Sequence, residues 1–205
     1  LVNVVTKSGT NDFSGTLSYY RSGDDYQSNT AFDRYIPSDA FTEEEYGFTL
    51  GGPIIRDRLF FFVGYENFET ARPVSPGNVD SGQGYQPGLF DALQQLIQTG
   101  LGYDVGARPD VATIPVTAER YFARVDWNIN DDHRLTLSYQ NVQETDTAGV
   151  NGNNFDTTWY DTPQEVTAYN AQLYSNWTDN FSTTFRIGHK EFVRGQDCRA
   201  GTEVG

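Results

Sequence analysis

Methionine is absent from these 205 residues, cysteine occurs once, at Cys198, and histidine twice, at His133 and His189. A lone cysteine makes no internal disulfide and no metal-ligand spacing. Neither histidine has a ligand partner at a recognisable interval, so both read as structural and no metal site is expected. No Ser/His/Asp arrangement, phosphate-cradling glycine motif or paired-carboxylate constellation stands out. The chain therefore reads as a non-enzyme, with no catalytic residues and no cofactor. Basic residues are scarce, 14 against 28 acidic, for a net charge of -14 and a pI near 4.3, which argues against a nucleic-acid partner. No apolar run approaches the roughly 18 residues of a transmembrane helix. Transmembrane strands stay open, because each is apolar on one face only, and the mean hydropathy of -0.58 does not count against them. The chain opens on Leu1, inside a strand-like run, and reads as an internal fragment, so the lack of a signal peptide says nothing about export.

What is abundant is aromatic: 15% of residues, mostly Tyr and Phe, a composition that suits strands and membrane interfaces. Residues 46–68 (YGFTLGGPIIRDRLFFFVGYENF) alternate with period two on both sides of the turn Arg56-Asp57-Arg58, the pattern of a β-hairpin. The same alternation predicts strands near 13–20, 46–54, 59–69, 119–129, 134–144, 165–177 and 181–192, with a further short strand at 1–7. The turns at 56–58, 130–132 and 178–180 are short. The connections at 21–45, 71–118 and 145–164 are long. Strict alternation of short and long connections is the habit of an up-and-down outer-membrane β-barrel, with short periplasmic turns and long extracellular loops. A soluble β-sandwich has no reason to adopt it.

The apolar faces fit that architecture. Near the short turns they carry Phe13, Trp127, Trp177 and Phe181. Near the long loops they carry Tyr19, Tyr46, Tyr65, Tyr121, Tyr139 and Tyr169, with Leu, Val, Ala and Ile between, as two aromatic girdles around an apolar band require. From Tyr121 to Trp127 is about 20 Å along a strand and roughly 15 Å of height after tilt, short of the band of about 25 Å, so the strand is expected to extend past Tyr121 or the rings to make up the difference. The opposite face carries Arg124, Asp126, Asn170, Gln172 and Arg186, read as facing the lumen. Charges there suit a wet or plugged interior better than a dry core.

The long connections offer weaker signals. Most of the net charge falls in residues 21–45, 71–118 and 145–164; cation binding at the mouth is one reading and a solvated loop face the plainer one. Residues 146–156 (DTAGVNGNNFD) have a calcium-loop composition without the order of ligands or the closing Glu. Tyr26, Tyr35, Tyr85, Tyr103, Trp159 and Tyr160 could stack on a sugar or peptide, or simply pack the loops. Leu89, Leu93, Leu96, Ile97 and Leu101 form one stripe of a helix, stable only if the stripe packs on something.

Three stretches carry a resemblance. Residues 2–13 (VNVVTKSGTNDF) resemble the plug-to-barrel junction of TonB-dependent outer-membrane receptors, in particular the Oar-like group. Residues 48–62 (FTLGGPIIRDRLFFF) resemble that group's first periplasmic hairpin, and residues 120–137 (RYFARVDWNINDDHRLTL) the next. The resemblance implies a plug ending at residue 12 and, over 13–205, the first seven strands of a barrel of about 22. It implies energised uptake of a scarce small ligand (a siderophore, saccharide or peptide), with outer-membrane lipid around the barrel and a TonB complex reached through a missing N-terminal region. Tyr26, Tyr35, Tyr103, Trp159 and Tyr160 are then the candidate ligand-binding residues. The alternatives are a passive porin-like channel and a secreted soluble β-domain for surface adhesion; the last requires a second sheet over the odd-numbered face of 121–129.

Overall fold

The computed structural model describes residues 7–26, 30–31, 34–35, 41–74, 88–108, 112–151 and 154–199. In chain order the elements are β1 (Ser14–Gly23), β2 (Thr30–Ala31), β3 (Arg34–Tyr35), β4 (Thr42–Ile55), β5 (Leu59–Val74), α1 (Leu89–Leu101), β6 (Ala112–Asn128), β7 (His133–Ala148), β8 (Tyr160–Thr178), β9 (Phe181–Arg194) and β10 (Asp197–Cys198). β1, β4, β5, β6, β7, β8 and β9 lie side by side in that order in one sheet, each antiparallel to its neighbour. β10 pairs with the first two residues of β8, and β2 and β3 pair with each other. The seven expected strands and three short turns are all present. Among the described residues no second sheet covers the odd-numbered face of β6: Tyr121 is 39% and Trp127 44% exposed, which removes the support for the secreted soluble domain. Residues 1–6 of the expected first strand, Tyr85 and part of the connection between β1 and β4 lie outside the described residues.

The strands run further toward the long connections than their apolar alternation indicates. β4 takes in Glu43, Glu44 and Glu45, β5 takes in Arg72, β7 takes in Asp146 and β8 takes in Asp161, all read from the sequence as loop. Past the tyrosines both faces of these strands lose the apolar period, so pairing alone marks them as strand. Strands of 14 to 19 residues exceed the roughly 10 that cross a bilayer, so the surplus stands outside it.

Register resolves two faces. Trp127, Leu135, Leu173 and Phe185 lie in one cross-strand row, and Val125, Leu137, Ala171 and Ile187 in the next. The tyrosine row steps as it crosses the sheet: Tyr65 pairs with Tyr121 at 5.0 Å between ring centroids, but Tyr139 pairs with Ala123 and with Tyr169, at 5.1 Å from that ring. Tilted strands require this, since a plane parallel to the membrane cuts successive strands at shifted residues. β6 does extend past Tyr121, but its next residue on that face is Glu119, so the extension adds no apolar height. The band is completed at the other end by Ile129, 38% exposed. Tyr121 to Ile129 is about 27 Å along the strand, or roughly 20 Å of height.

The short turns hold themselves. Asn130 Oδ1 accepts from the backbone N–H of Asp132 (3.0 Å) and His133 (2.8 Å), an Asx turn. Asp57 takes a left-handed φ of 64°, a conformation Asp tolerates better than most residues.

Candidate functional site on the polar face

Alternation puts Arg124, Asp126, Asn170, Gln172 and Arg186 on one face, as the sequence predicts. Asp126, Thr136, Gln172 and Arg186 share a cross-strand row, and Arg124, Ser138, Asn170 and Gly188 the next. The groups are tied to one another. Arg124 donates Nε and Nη2 to the two carboxylate oxygens of Asp126 (2.7 and 2.8 Å), and Thr136 Oγ1 donates to Asp126 Oδ1 (2.8 Å). Asp126 is 9% exposed, and the two-pronged guanidinium contact is what lets a charge sit there. Arg186 Nε donates to Gln172 Oε1 (2.9 Å), while its own side chain stays exposed. Two register steps toward the long connections, Arg120 pairs with Glu66 on the same face.

The chain before β1 lies against this polar face. A Cβ on Gly9 would overlap the carbonyl oxygen of Phe61, and Gly9 Cα is 3.5 Å from where a Gly51 Cβ would stand. Glycine at position 9 is what lets the two backbones meet so closely. Gly51 belongs to the polar face, since it pairs with Phe62 and Phe62 with Arg124. Asn11 then clasps the first short turn: its Nδ2 donates to Asp57 Oδ1 (2.5 Å), and Asp57 N–H donates to Asn11 Oδ1 (2.8 Å). Asn128 Nδ2 donates to the Asp57 carbonyl (3.1 Å), tying the second hairpin to the first turn. Phe13, beyond the clasp, crosses to the apolar face, where its ring covers Gly52 and stands 6.3 Å from that of Phe61.

At the opposite end of the strands the polar face is capped. Ile114, Val116 and Ala118 are 3%, 9% and 3% exposed, whereas Thr113, Pro115 and Thr117 between them are exposed. Thr70 and Thr162 are buried beside them on the same face, while Asn67 and Asn141 are buried on the opposite face, where they donate to Glu69 and to Glu165 and Thr167. Val105 and Trp159 are the other buried apolar side chains among the described residues, and they come from two long connections that are stitched together. Ala107 N–H donates to Asp156 Oδ1 and Asp156 N–H to the Ala107 carbonyl, both at 2.8 Å, and Thr157 Oγ1 donates to the Val105 carbonyl at 2.5 Å. α1 joins through Phe90, whose ring meets Phe155 (5.9 Å) and lies 3.6 Å under the Arg108 guanidinium, and through Gln94, which donates to the Gly106 carbonyl (2.7 Å). The helix occupies the expected residues, but its leucine stripe does not anchor it. Leu96 and Leu101 are 66% and 79% exposed, and the attached side is Phe90 and Gln94, one turn apart.

The loop aromatics separate. Tyr26, 69% exposed, and Tyr103, 44% exposed, present their rings, and Tyr160 is half-buried at the start of β8. Tyr35 lies in β3, paired with Thr30, and its side chain is outside the described residues. Trp159 departs from the stacking role: at 3% exposure, with Nε1 donating to Asn154 Oδ1 (3.4 Å), its ring packs the cap. The ends of the acidic segment 146–156 are engaged elsewhere, Asp146 with Arg72 (3.8 Å) and Asp156 with Ala107. His133 stacks near Trp177 (5.0 Å), and His189 joins the tyrosine row. Cys198 is exposed in β10. The clasp and the cap were not found by sequence reasoning. Each links residues far apart in the chain, 46 for Asn11 and Asp57 and 49 for Ala107 and Asp156, and no local pattern announces such a pair.

Residues 5–99 match the model of a family described as an outer membrane beta barrel domain. No curated protein and no solved structure matches. The match covers the first three long strands of a sheet that continues, with the same alternation of turns and faces, through β9. The fold is that of an up-and-down transmembrane β-barrel, of which seven long strands are present, and the protein resides in the bacterial outer membrane.

Proposed function

We propose that the chain belongs to a TonB-dependent transporter, with the end of a plug up to residue 12 and the start of the barrel from residue 13. The observation that carries this reading is the path of residues 7–12. They descend the polar face in backbone contact with Gly51 and Phe61, and only at Phe13 does the chain cross to the apolar side. A polypeptide arriving from inside the barrel is what a plug followed by a barrel requires; a passive channel has no need of it. On this reading the polar face is the lumen wall. Arg124, Asp126, Asn170, Gln172 and Arg186 line the path, and the apolar face meets outer-membrane lipid.

The parts then act in sequence. The cap, the exposed Tyr26 and Tyr103 and the half-buried Tyr160 meet a small ligand at the mouth, by stacking. The Asn11–Asp57 clasp holds the end of the plug to the first periplasmic turn, so that tension applied by a TonB complex upstream rearranges the plug while the wall stays put. No residue is assigned a bond-making step. Ion conductance of the natural full-length protein in planar bilayers, with KCl as the probe, tests the reading. A closed barrel with no steady conductance is expected, and constant open-channel steps would favour the passive porin-like channel instead.

A further inference from the structure

The apolar face of the sheet is not smooth. Across β6 to β9 it holds a groove of about 660 Å³. Two cross-strand rows wall it. Tyr139, Tyr169 and His189 follow Ala123 in the upper row, and Leu137, Ala171 and Ile187 follow Val125 in the lower. Leu137 and Ile187 are 43% and 60% exposed, and the single methyl of Ala171 between them opens the groove toward the short turns. The upper end is polar, with two phenol hydroxyls and an imidazole at the level of the tyrosine row. Beyond that row the outward side chains of β6 to β9 turn acidic. Glu191 stands one row on, Glu119 and Glu165 two rows on, and neither row holds Lys or Arg.

We propose that this groove binds one phosphatidylethanolamine molecule. An acyl chain lies past Ala171, the phosphate sits at Tyr139, Tyr169 and His189, and the ammonium meets Glu191 and Glu165. Charge complementarity selects this occupant. From the acyl chains outward, the lipid presents an apolar chain, then an anion, then a cation. From the short turns outward, the groove presents apolar walls, then hydrogen-bond donors, then carboxylates. The spacing agrees. His189 to Glu191 is about 7 Å along the strand, or roughly 5 Å of height, within reach of the two-carbon arm between phosphate and ammonium. Glu165 and Glu191 are exposed, so a headgroup can approach both. Phosphatidylglycerol has no cation to set against these carboxylates, and a phosphorylated glycolipid sets further phosphates against them. The inference goes beyond the transport reading and does not need it, since a passive channel would carry the same outer groove.

The test is native mass spectrometry of the natural full-length protein, released from detergent micelles and titrated with single lipids. The probes are phosphatidylethanolamine and phosphatidylglycerol with identical acyl chains, and lipid A. Phosphatidylethanolamine is expected to bind about fivefold more tightly than phosphatidylglycerol, the size that exposed charge pairs give. Glu165→Gln with Glu191→Gln should bring the two phospholipids level, and it keeps an acceptor for Asn141 and Thr167. Ala171→Phe fills the gap with an apolar ring and should abolish the preference. If that variant does not insert, Ala171→Leu fills the same gap with the side chain its neighbour Leu137 already has. Equal binding of the two phospholipids by the parent, tighter binding of lipid A, or a preference unchanged by a filled position 171 overturns the proposal.

Discussion

Two stretches of the same strands, one on each side of the tyrosine row, carry their apolar side chains on opposite faces. Toward the short turns the odd-numbered face of β6 is Ala123, Val125 and Trp127, apolar and uncovered, and the even-numbered face holds the tied charges Arg124 and Asp126. Toward the long connections the odd-numbered face is Thr113, Pro115, Thr117 and Glu119, while the even-numbered face buries Ile114, Val116 and Ala118. One continuous strand thus changes its apolar side within a few residues, without a bulge in its pairing with β5 or β7. The solvent explains it. In the first stretch lipid lies outside and the polar interior of the barrel inside; in the second, water lies outside and the capping connections inside. Apolar side chains follow whichever side excludes water.

The largest break in this comparison should come from removing the cap's floor. Ile114→Ala deletes a side chain that is 3% exposed, and large-to-small changes of this kind cost about 2–5 kcal/mol. The loss is expected to be local. Limited proteolysis within residues 102–108 and 154–159 should become fast while the membrane-embedded strands stay protected. Unchanged cleavage would mean that Ile114 is not under the cap.

Next is a charge placed on the lipid side. Val125→Arg puts a guanidinium at mid-band, where such a residue costs about 2–4 kcal/mol. The yield of inserted protein should fall well below that of Ser138→Arg, one strand over on the polar face. Asp126→Asn is a poorer comparison than the sequence suggests, because Asp126 holds both Arg124 and Thr136. Equal yields for Val125→Arg and Ser138→Arg would contradict the assignment of faces.

A smaller effect is expected at the stitch between the two capping connections. Asp156→Ala removes the carboxylate that accepts from Ala107 N–H and leaves the backbone bond to Ala107 in place. One charge-assisted bond is worth about 1.5–3 kcal/mol. Proteolysis of residues 102–108 should quicken less than in Ile114→Ala, and Asp156→Asn, which keeps an acceptor, should recover much of the protection. No rescue by Asn would show that charge rather than the hydrogen bond matters there.

The same contrast explains what could be read from the sequence. The stretch inside the membrane was legible because lipid imposes a strict period of two: Tyr121, Ala123, Val125 and Trp127 alternate with Phe122, Arg124 and Asp126, and the turns between such runs are short. The outer stretch was not. Glu43, Glu44 and Glu45 look like an acidic loop because three charges in a row show no face, yet all three pair within β4. The leucine stripe of α1 suggested a buried side that the structure leaves open, since helical periodicity shows which residues align but not whether anything meets them. The aromatic candidates were found by residue type alone, which does not tell Tyr26, exposed, from Trp159, buried.

The smallest expected effect fixes where the two stretches meet. Thr117 lies on the same face of the same strand as Val125, on the far side of Tyr121, and it is exposed. Its partners across the sheet are Glu69 and Thr145. An arginine there would stand in water opposite a carboxylate, an arrangement worth at most a few tenths of a kcal/mol to about 1 kcal/mol in its favour. Thr117→Arg should therefore insert as well as the parent, within about 0.5 kcal/mol, while Val125→Arg fails. If Thr117→Arg lowers the inserted yield as far as Val125→Arg does, the apolar environment reaches beyond Glu119, and the tyrosines do not mark the membrane's edge. If it inserts normally, eight residues of one strand separate lipid from water, with the Tyr121 ring at the boundary.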